Sequence, residues 1–263
     1  MKLYVDMGNS RVKWAFGSQG GFVETGQAAL DAGSEWGRLL GTRQAPDEIR
    51  LANVAGAAAV AALAGRLAER FGIPPRMASS PAHGAGVRNG YANPGQLGVD
   101  RWLALCAAFV RYRASLCVLD VGTASTIDRV TADGRHEGGL ILPGITLMAA
   151  SLRTRTGDLA RLADDPAGSS ADSPVPAVTE GRPALGRDTA AAIRLAALQA
   201  TACLALDCIV PRGGGLLVVT GGAAPPLLPV LKGLAAPRGI RLEHCPDLVL
   251  EGLALEPTCA TFS

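Results

Sequence analysis

The sequence predicts an α/β protein built from a duplicated unit, and three observations carry that prediction. A short apolar strand runs into an acidic, glycine-containing turn and a second strand at Lys2–Phe16, KLYVDMGNSRVKWAF. The same order returns at Leu116–Thr146, LCVLDVGTASTIDRVTADGRHEGGLILPGIT. Alanine-rich stretches with apolar residues at helical spacing, such as Gly56–Phe71 and Ala190–Ile209, supply the helices. One strand–DxG–strand hairpin is common. Two in separate halves of one chain predict two related domains, 1–115 and 116–263, with two phosphate loops facing each other.

At the N-terminus, Asp6-Met7-Gly8-Asn9-Ser10 forms the first turn. A carboxylate there suits magnesium, which prefers carboxylate, water and phosphate oxygens. Lys13 adds a point charge near the phosphates. Asp6 as a turn-forming Asx residue and Lys13 as a solvated edge-strand lysine are the plainer readings. Gly20–Ala45 carries few signals and reads as strand and helix pieces, whereas Ile49–Val54 reads as a strand. The helix Gly56–Phe71 is stopped by Gly72 and Pro74–Pro75, and a short strand and turn follow in Arg76–Ala82.

Val87–Leu105, VRNGYANPGQLGVDRWLAL, places Tyr91 on a loop between the turn signals Asn89–Gly90 and Pro94–Gly95. Gly98-Val99-Asp100-Arg101 then opens an apolar helix to about Tyr112. Asp100 reads either as a helix cap or as an acceptor for a hydroxyl proton. Arg101 reads either as a surface charge or as a carboxylate-binding fork.

In the second unit Leu116–Leu119 has the length of a buried strand, with Asp120 at its end and Gly122 letting the backbone approach a ligand. Thr123, Ser125 and Thr126 offer hydroxyls and amides to phosphate oxygens. A second apolar strand, Gly139–Leu142, follows a turn at Asp133–Gly134. A helix begins near Ile145 and ends around Arg153, Thr154, Arg155 and Thr156. Ala163–Pro183 is rich in Pro, Ser, Asp and Gly and reads as a long loop, a surface connection or a lid. Asp188 or Thr189 caps the following helix. Leu216–Val219 is another buried strand, closed by Thr220-Gly221-Gly222, which suits either a flat ligand such as adenine or a tight turn. Leu227–Leu234 reads as a helix, Ile240–Glu243 as a strand and Val249–Leu255 as a helix.

Composition bounds the function. The 263 residues, 48% hydrophobic and 18% charged, describe a globular chain that can hold one large or two small domains. A net charge of +2 makes no case for nucleic acid or a membrane surface as partner. The first apolar run is too short for a signal peptide, and Arg194, Gln199 and Asp207 within 190–210 favour a buried helix over a membrane span. Six cysteines without CxxC spacing read as reduced core thiols in a cytoplasmic protein.

The blocks DMGNSRVK, NGYANPGQLGVDRW, DVGTASTID with GGLILPG, LGRDT, VVTGG and PDLVLEGL together resemble the type III pantothenate kinases, the family that includes the Bvg accessory factor proteins. The resemblance covers nearly the whole chain. It implies the acetate-and-sugar-kinase/Hsp70/actin fold, two RNase H-like α/β domains, and a homodimer. It further implies ATP bound along Asp6, Met7, Gly8, Asn9, Ser10, Arg11, Val12 and Lys13 and at Thr123, with Mg2+ as cofactor and a monovalent cation, K+ or NH4+, at Asp120. Pantothenate would contact Tyr91, Gly98, Val99, Asp100, Arg101 and Thr189, the last across the dimer interface, with Asp100 as proton acceptor. Departures from the family pattern are Ser10 and Ser125 where threonine is usual, and Ala196 where glycine is expected.

The reaction so implied is transfer of the ATP γ-phosphoryl group to pantothenate, giving 4′-phosphopantothenate for coenzyme A synthesis. A catalytically idle regulatory protein of the same fold is the main alternative, although intact Asp6, Asp100, Arg101 and Asp120 argue against decay. An actin- or Hsp70-like ATPase would leave the GVDR block without a role, and a phosphatase would release phosphate without pantothenate.

Overall fold

The computed structural model of the chain describes residues 1–18, 21–30, 39, 41, 45–155, 184–209, 215–255 and 259–263. From the N-terminus the elements run β1 (Lys2–Met7), β2 (Arg11–Ser18), β3 (Gly21–Ala29), β4 (Glu48–Asn53), α1 (Ala57–Phe71), β5 (Arg76–Ser79), β6 (His83–Gly84), β7 (Val87–Arg88) and α2 (Val99–Tyr112). Then follow β8 (Leu116–Val121), β9 (Ala124–Val130), β10 (His136–Pro143), α3 (Ile145–Arg155), α4 (Thr189–Asp207), β11 (Leu216–Thr220), α5 (Leu228–Ala235), β12 (Arg241–His244), α6 (Leu248–Ala254) and β13 (Thr261–Phe262).

These elements form two compact units. One comprises Met1–Arg113, Val130–Gly138 and Asp247–Ser263, the other Ala114–Arg129 and Gly139–Pro246. The first holds a six-stranded sheet in the order β13-β5-β4-β1-β2-β3. Strand β1 pairs antiparallel with β2 and parallel with β4, so it is central. Leu3, Val5 and Met7 alternate along β1 and join Val12, Trp14, Phe16, Ile49 and Leu51 in a core closed by Leu63 and Leu67 of α1. Arg50 stands on the opposite face of β4 from Ile49 and Leu51, and its guanidinium donates to Leu253 O of α6 at 2.9 Å. Helices therefore cover both faces of this sheet, which is why Tyr4 is buried along with its neighbours.

The second unit holds a five-stranded sheet in the order β10-β9-β8-β11-β12. Strands β8, β11 and β12 are parallel, and parallel strands need helical crossovers that bury their faces. Cys117, Leu119, Val121, Ile127, Leu217 and Val219 accordingly pack with Leu198, Ala202 and Leu206 of α4 and Val230, Leu231 and Leu234 of α5. By length and composition α4 is apolar enough to cross a membrane, yet its Leu198, Ala202, Ala205 and Leu206 lie in this core.

Most strands and helices fall within a few residues of their sequence-predicted positions. Strand β3 carries no clear apolar alternation and is the strand piece within Gly20–Ala45; much of the rest of that stretch, and the whole Ala163–Pro183 loop, lie outside the described residues. Strand β10 is longer than expected and stands at a sheet edge, where Leu140 and Ile141 are exposed. The compact units also differ from the continuous halves 1–115 and 116–263. The C-terminal α6 and β13 lie in the first unit because α6 meets α2 at backbone contact: a Cβ on Gly252 would fall 2.4 Å from Leu103 O. Trp102 Nε1 donates to Cys259 O at 2.8 Å, and Phe262 pairs with Ala78 of β5. The turn at Asp133–Gly134 joins the first unit for a similar reason, since a Cβ on Gly134 (φ 82°) would lie 2.0 Å from Gly86 O. All six cysteines are free thiols, with Cys106, Cys117, Cys245 and Cys259 buried.

Candidate active site

The loop before α2 is fixed from within. The buried Asn89 accepts the Tyr91 N–H at 3.0 Å and donates its amide to Pro81 O and Pro94 O at 3.2 and 3.3 Å. Asn93 Oδ1 accepts from Gly95 N at 3.2 Å and caps the 3-10 turn Pro94–Gln96. Tyr91 is thereby held half-buried on a rigid loop. Gly98 is the residue at the N-cap of α2, and a Cβ on it would sit 2.6 Å from Asp100 Oδ1. Any side chain at 98 would therefore press on that carboxylate.

Asp100 lies in the first helical turn, where the helix dipole favours a negative charge, and Oδ1 accepts the Arg101 N–H at 2.8 Å. Arg101 is only 6% exposed, so it is not the surface charge its sequence position allowed. Its Nη1 donates to Tyr91 Oη at 3.0 Å, and Cζ lies 5.7 Å from the centre of the same ring. Val99 is buried and leaves only its backbone for a ligand. Trp102, Leu103, Leu105 and Cys106 bury the rest of the helix and anchor its first turn. Tyr91, Gly98, Val99, Asp100 and Arg101 thus form one cluster holding a carboxylate, a buried guanidinium and a phenol.

Sequence reasoning missed His136. It is 1% exposed and stacks on Tyr91 with ring centres 5.9 Å apart and planes 9° from parallel. A lone histidine ahead of a glycine pair has no spacing signal; only the return of 130–138 to the first unit reveals it.

In the β1–β2 hairpin Asp6 faces Lys13 and Met7 faces Val12 across the ladder, and Gly8 N donates to Arg11 O at 3.0 Å to close the turn. Asn9, Ser10 and Arg11 are exposed and Asp6 and Lys13 are half-buried. Met7 and Val12 belong to the core, so a nucleotide can meet only their backbone.

The second DxG loop closes one residue more tightly, Gly122 N donating to Ala124 O at 3.1 Å. Asp120 ends β8 opposite Thr220 of β11. Gly221, at φ 95°, passes so close that a Cβ would lie 2.4 Å from Asp120 Oδ1 and 2.3 Å from Val121 O. The TGG turn therefore serves the Asp120 loop itself. Gly144 approaches the other side and donates its N–H to Thr123 O at 2.9 Å; a Cβ there would meet Gly122 O at 2.1 Å. Thr123 is exposed, Thr126 half-buried and Ser125 fully enclosed on the core face beside Ile127, its hydroxyl without a partner. Ser125 is thus withdrawn from the surface a phosphate would reach.

Asp120 and the carbonyls around it are hard oxygen donors, the kind that alkali and alkaline-earth cations take. Among the described residues no group of three or more His, Cys, Asp or Glu side chains gathers as a metal cluster. Asp188 caps α4 by accepting from Ala191 N at 2.7 Å, leaving Thr189 half-buried at the first helical position. Ala196 is exposed, so its methyl is not crowded within this unit.

The family description "Type III pantothenate kinase" matches residues 2–210. A type III pantothenate kinase of Nitrosococcus oceani is 35% identical, covering 97% of this chain and 92% of its own length. One from an Azoarcus species is 38% identical over 97% and 90%, and one from Halorhodospira halophila 37% identical over 96% of each. Among solved structures, a Campylobacter jejuni protein assigned to the Baf family of transcriptional activators aligns with a TM-score of 0.55 at 18% identity, covering 95% of this chain and 94% of that one. A Sinorhizobium meliloti protein assigned as a 2-dehydro-3-deoxygalactonokinase aligns at 0.52 and 17% over 98% and 97%. These structural likenesses bear on the fold alone, and they agree with the acetate-and-sugar-kinase/Hsp70/actin fold that the sequence resemblance implies. On its sequence, the chain belongs to the type III pantothenate kinase family.

Proposed function

We propose that the chain phosphorylates pantothenate at the expense of ATP, the first step of coenzyme A synthesis, with Asp100 accepting the proton. The observation that carries the reading is the buried Arg101 tied to Tyr91 directly beside Asp100. Family membership supports the reaction.

The primary hydroxyl oxygen of pantothenate bonds to the γ-phosphorus as the bond from that phosphorus to the β,γ-bridging oxygen breaks, leaving ADP. The transition state is loose, so the protein mainly positions reactants and stabilises spread negative charge. Asp100 orients the hydroxyl and takes its proton late in the step. The Arg101 fork pairs with the pantothenate carboxylate, and Tyr91 holds that fork in place. Lys13 and the Gly8–Arg11 turn take ATP phosphates, as does Thr123 in the second loop. Magnesium, when bound, neutralises phosphate charge. Asp120 would hold a potassium or ammonium ion, a role supported by the Val121 carbonyl and the Asp120 carboxylate converging at the Gly221 turn.

We further read the protein as a cytoplasmic homodimer in which Thr189 of a second copy completes the pantothenate site. Exposed Leu140, Ile141, Leu147 and Leu185 give the second unit apolar surface suited to such an interface.

The test is ATP consumption with magnesium and potassium, with and without pantothenate, and detection of phosphopantothenate by mass. Pantothenate-dependent turnover that falls when sodium replaces potassium supports both the reaction and the role of Asp120. Turnover without pantothenate indicates an ATPase, and no turnover under any cation a binding protein.

A further inference from the structure

We propose that His136 is a positioning residue for the acid-binding end of the substrate site, acting through Tyr91. The inference rests on the reading of Tyr91 and Arg101 as pantothenate contacts.

Three contacts fix Tyr91, each at a different point. Asn89 takes its backbone N–H, Arg101 donates to its hydroxyl, and His136 covers its ring. The two hydrogen bonds act at the ends of the residue, on its backbone and its hydroxyl, and by themselves do not define the ring plane. The face-to-face contact with His136 fixes the ring plane, at a centroid distance within the range of offset stacking. The ring plane matters because Arg101 lies over the same ring as well as on its hydroxyl. A turned ring would move the guanidinium that must meet a planar carboxylate edge-on.

His136 is itself immobilised. It is 1% exposed, and Gly90 N donates to its Nδ1 at 3.4 Å. A Cβ on Gly90 would lie 2.1 Å from His136 O, so the Asn89–Gly90 turn is laid directly onto the histidine backbone. His136 therefore braces the Asn89–Tyr91 loop through a ring stack, a hydrogen bond and a backbone contact. Fixing Tyr91 and Arg101 in advance removes ordering cost from pantothenate binding and should be read in KM rather than kcat.

The experiment compares wild type with His136→Ala, His136→Phe and Tyr91→Ala, measuring KM for pantothenate, KM for ATP and kcat. Removing the ring in His136→Ala should raise the pantothenate KM about tenfold, the size of one aromatic pair, with kcat and the ATP KM within about twofold. His136→Phe, which keeps the stack but loses the acceptor, should restore the pantothenate KM to within about threefold of wild type. An unchanged KM in His136→Ala while Tyr91→Ala raises it would overturn the proposal, as would a loss in His136→Ala spread equally over both substrates. If His136→Ala fails to fold, His136→Phe decides alone: a pantothenate KM raised as in Tyr91→Ala contradicts the stacking role, and one near wild type supports it. An unaltered pantothenate KM in Tyr91→Ala would instead remove the substrate-site reading, and the proposal with it.

Discussion

Arg101 holds Tyr91 by its hydroxyl at 3.0 Å while its guanidinium carbon lies 5.7 Å from the centre of that ring. A charged group 6% exposed needs such partners, because an isolated buried guanidinium would be costly. Lysine keeps the charge but not the planar fork. Arg101→Lys is expected to raise the pantothenate KM roughly 10- to 100-fold, the worth of one or two charge-assisted hydrogen bonds, with ATP binding unchanged. Tyr91→Phe removes only the hydroxyl and should cost less. Steady-state kinetics on the two variants checks the ranking.

Gly221 makes a second prediction. Its φ of 95° and the 2.4 Å approach of a would-be Cβ to Asp120 Oδ1 leave no room for a side chain. Gly221→Ala should cost about 1–2 kcal/mol from the backbone alone and displace the carboxylate. Thermal melts should show the loss, and potassium titrations of turnover should require more cation for half-activation. Unaltered cation dependence would dissociate Asp120 from the monovalent ion.

Ser125 predicts the opposite sign. Its enclosed hydroxyl lacks a hydrogen-bond partner, so Ser125→Ala removes a desolvated polar atom at the expense of very little packing. Stability should stay level or rise by up to about 1 kcal/mol, measured by denaturant unfolding. A clear destabilisation would mean that the hydroxyl is bonded in solution.

Glu48 provides a pH handle on the first unit. Burial alone would raise its pKa, but hydrogen bonds and charge from Arg50 and Lys2 outweigh that and hold it at about 2, against an ordinary 4.5. The carboxylate accepts from Arg50 Nε at 3.1 Å, Lys2 Nζ at 3.1 Å and Arg76 Nη1 at 3.1 Å. Its folded pKa is depressed, so its stabilisation is complete above about 4.5 and is lost as the pH falls towards 2. Glu48→Gln should be less stable than wild type at pH 7 by roughly 1.5–3 kcal/mol, since it strips charge from hydrogen bonds to the buried Arg50. The difference should close as acid is added across that window.

What the sequence made legible was local. DMGNS and DVGT each announce a strand end, an acidic residue and a glycine turn, and in both the glycine N–H closes the turn, Gly8 to Arg11 and Gly122 to Ala124. NGYANPG with GVDR marked Tyr91, Asp100 and Arg101 because turn signals and a helix start bracket them. What stayed hidden depends on contacts between distant residues. His136 stacks on a ring 45 positions earlier in the chain, a meeting no periodicity encodes. Arg101 looks like any helix-surface arginine until Tyr91 and the loop bury it. Ser125 shares the polar composition of Thr123 and Thr126, but strand alternation turns it into the core with Ile127. The C-terminal α6 and β13 join the first unit, where Gly252 permits backbone contact with α2, which a glycine in LVLEGLA does not announce on its own.

The central claim is that Asp100 accepts the hydroxyl proton, and the measurement that tests it most directly is turnover of Asp100→Asn, with phosphopantothenate followed by mass and ATP binding followed separately. Asparagine keeps the size of the side chain and can still accept the Arg101 N–H, but it cannot take up the proton. The account predicts a fall in kcat of roughly 10²- to 10⁴-fold with ATP affinity nearly intact. An Asn variant that turns over like wild type would contradict it.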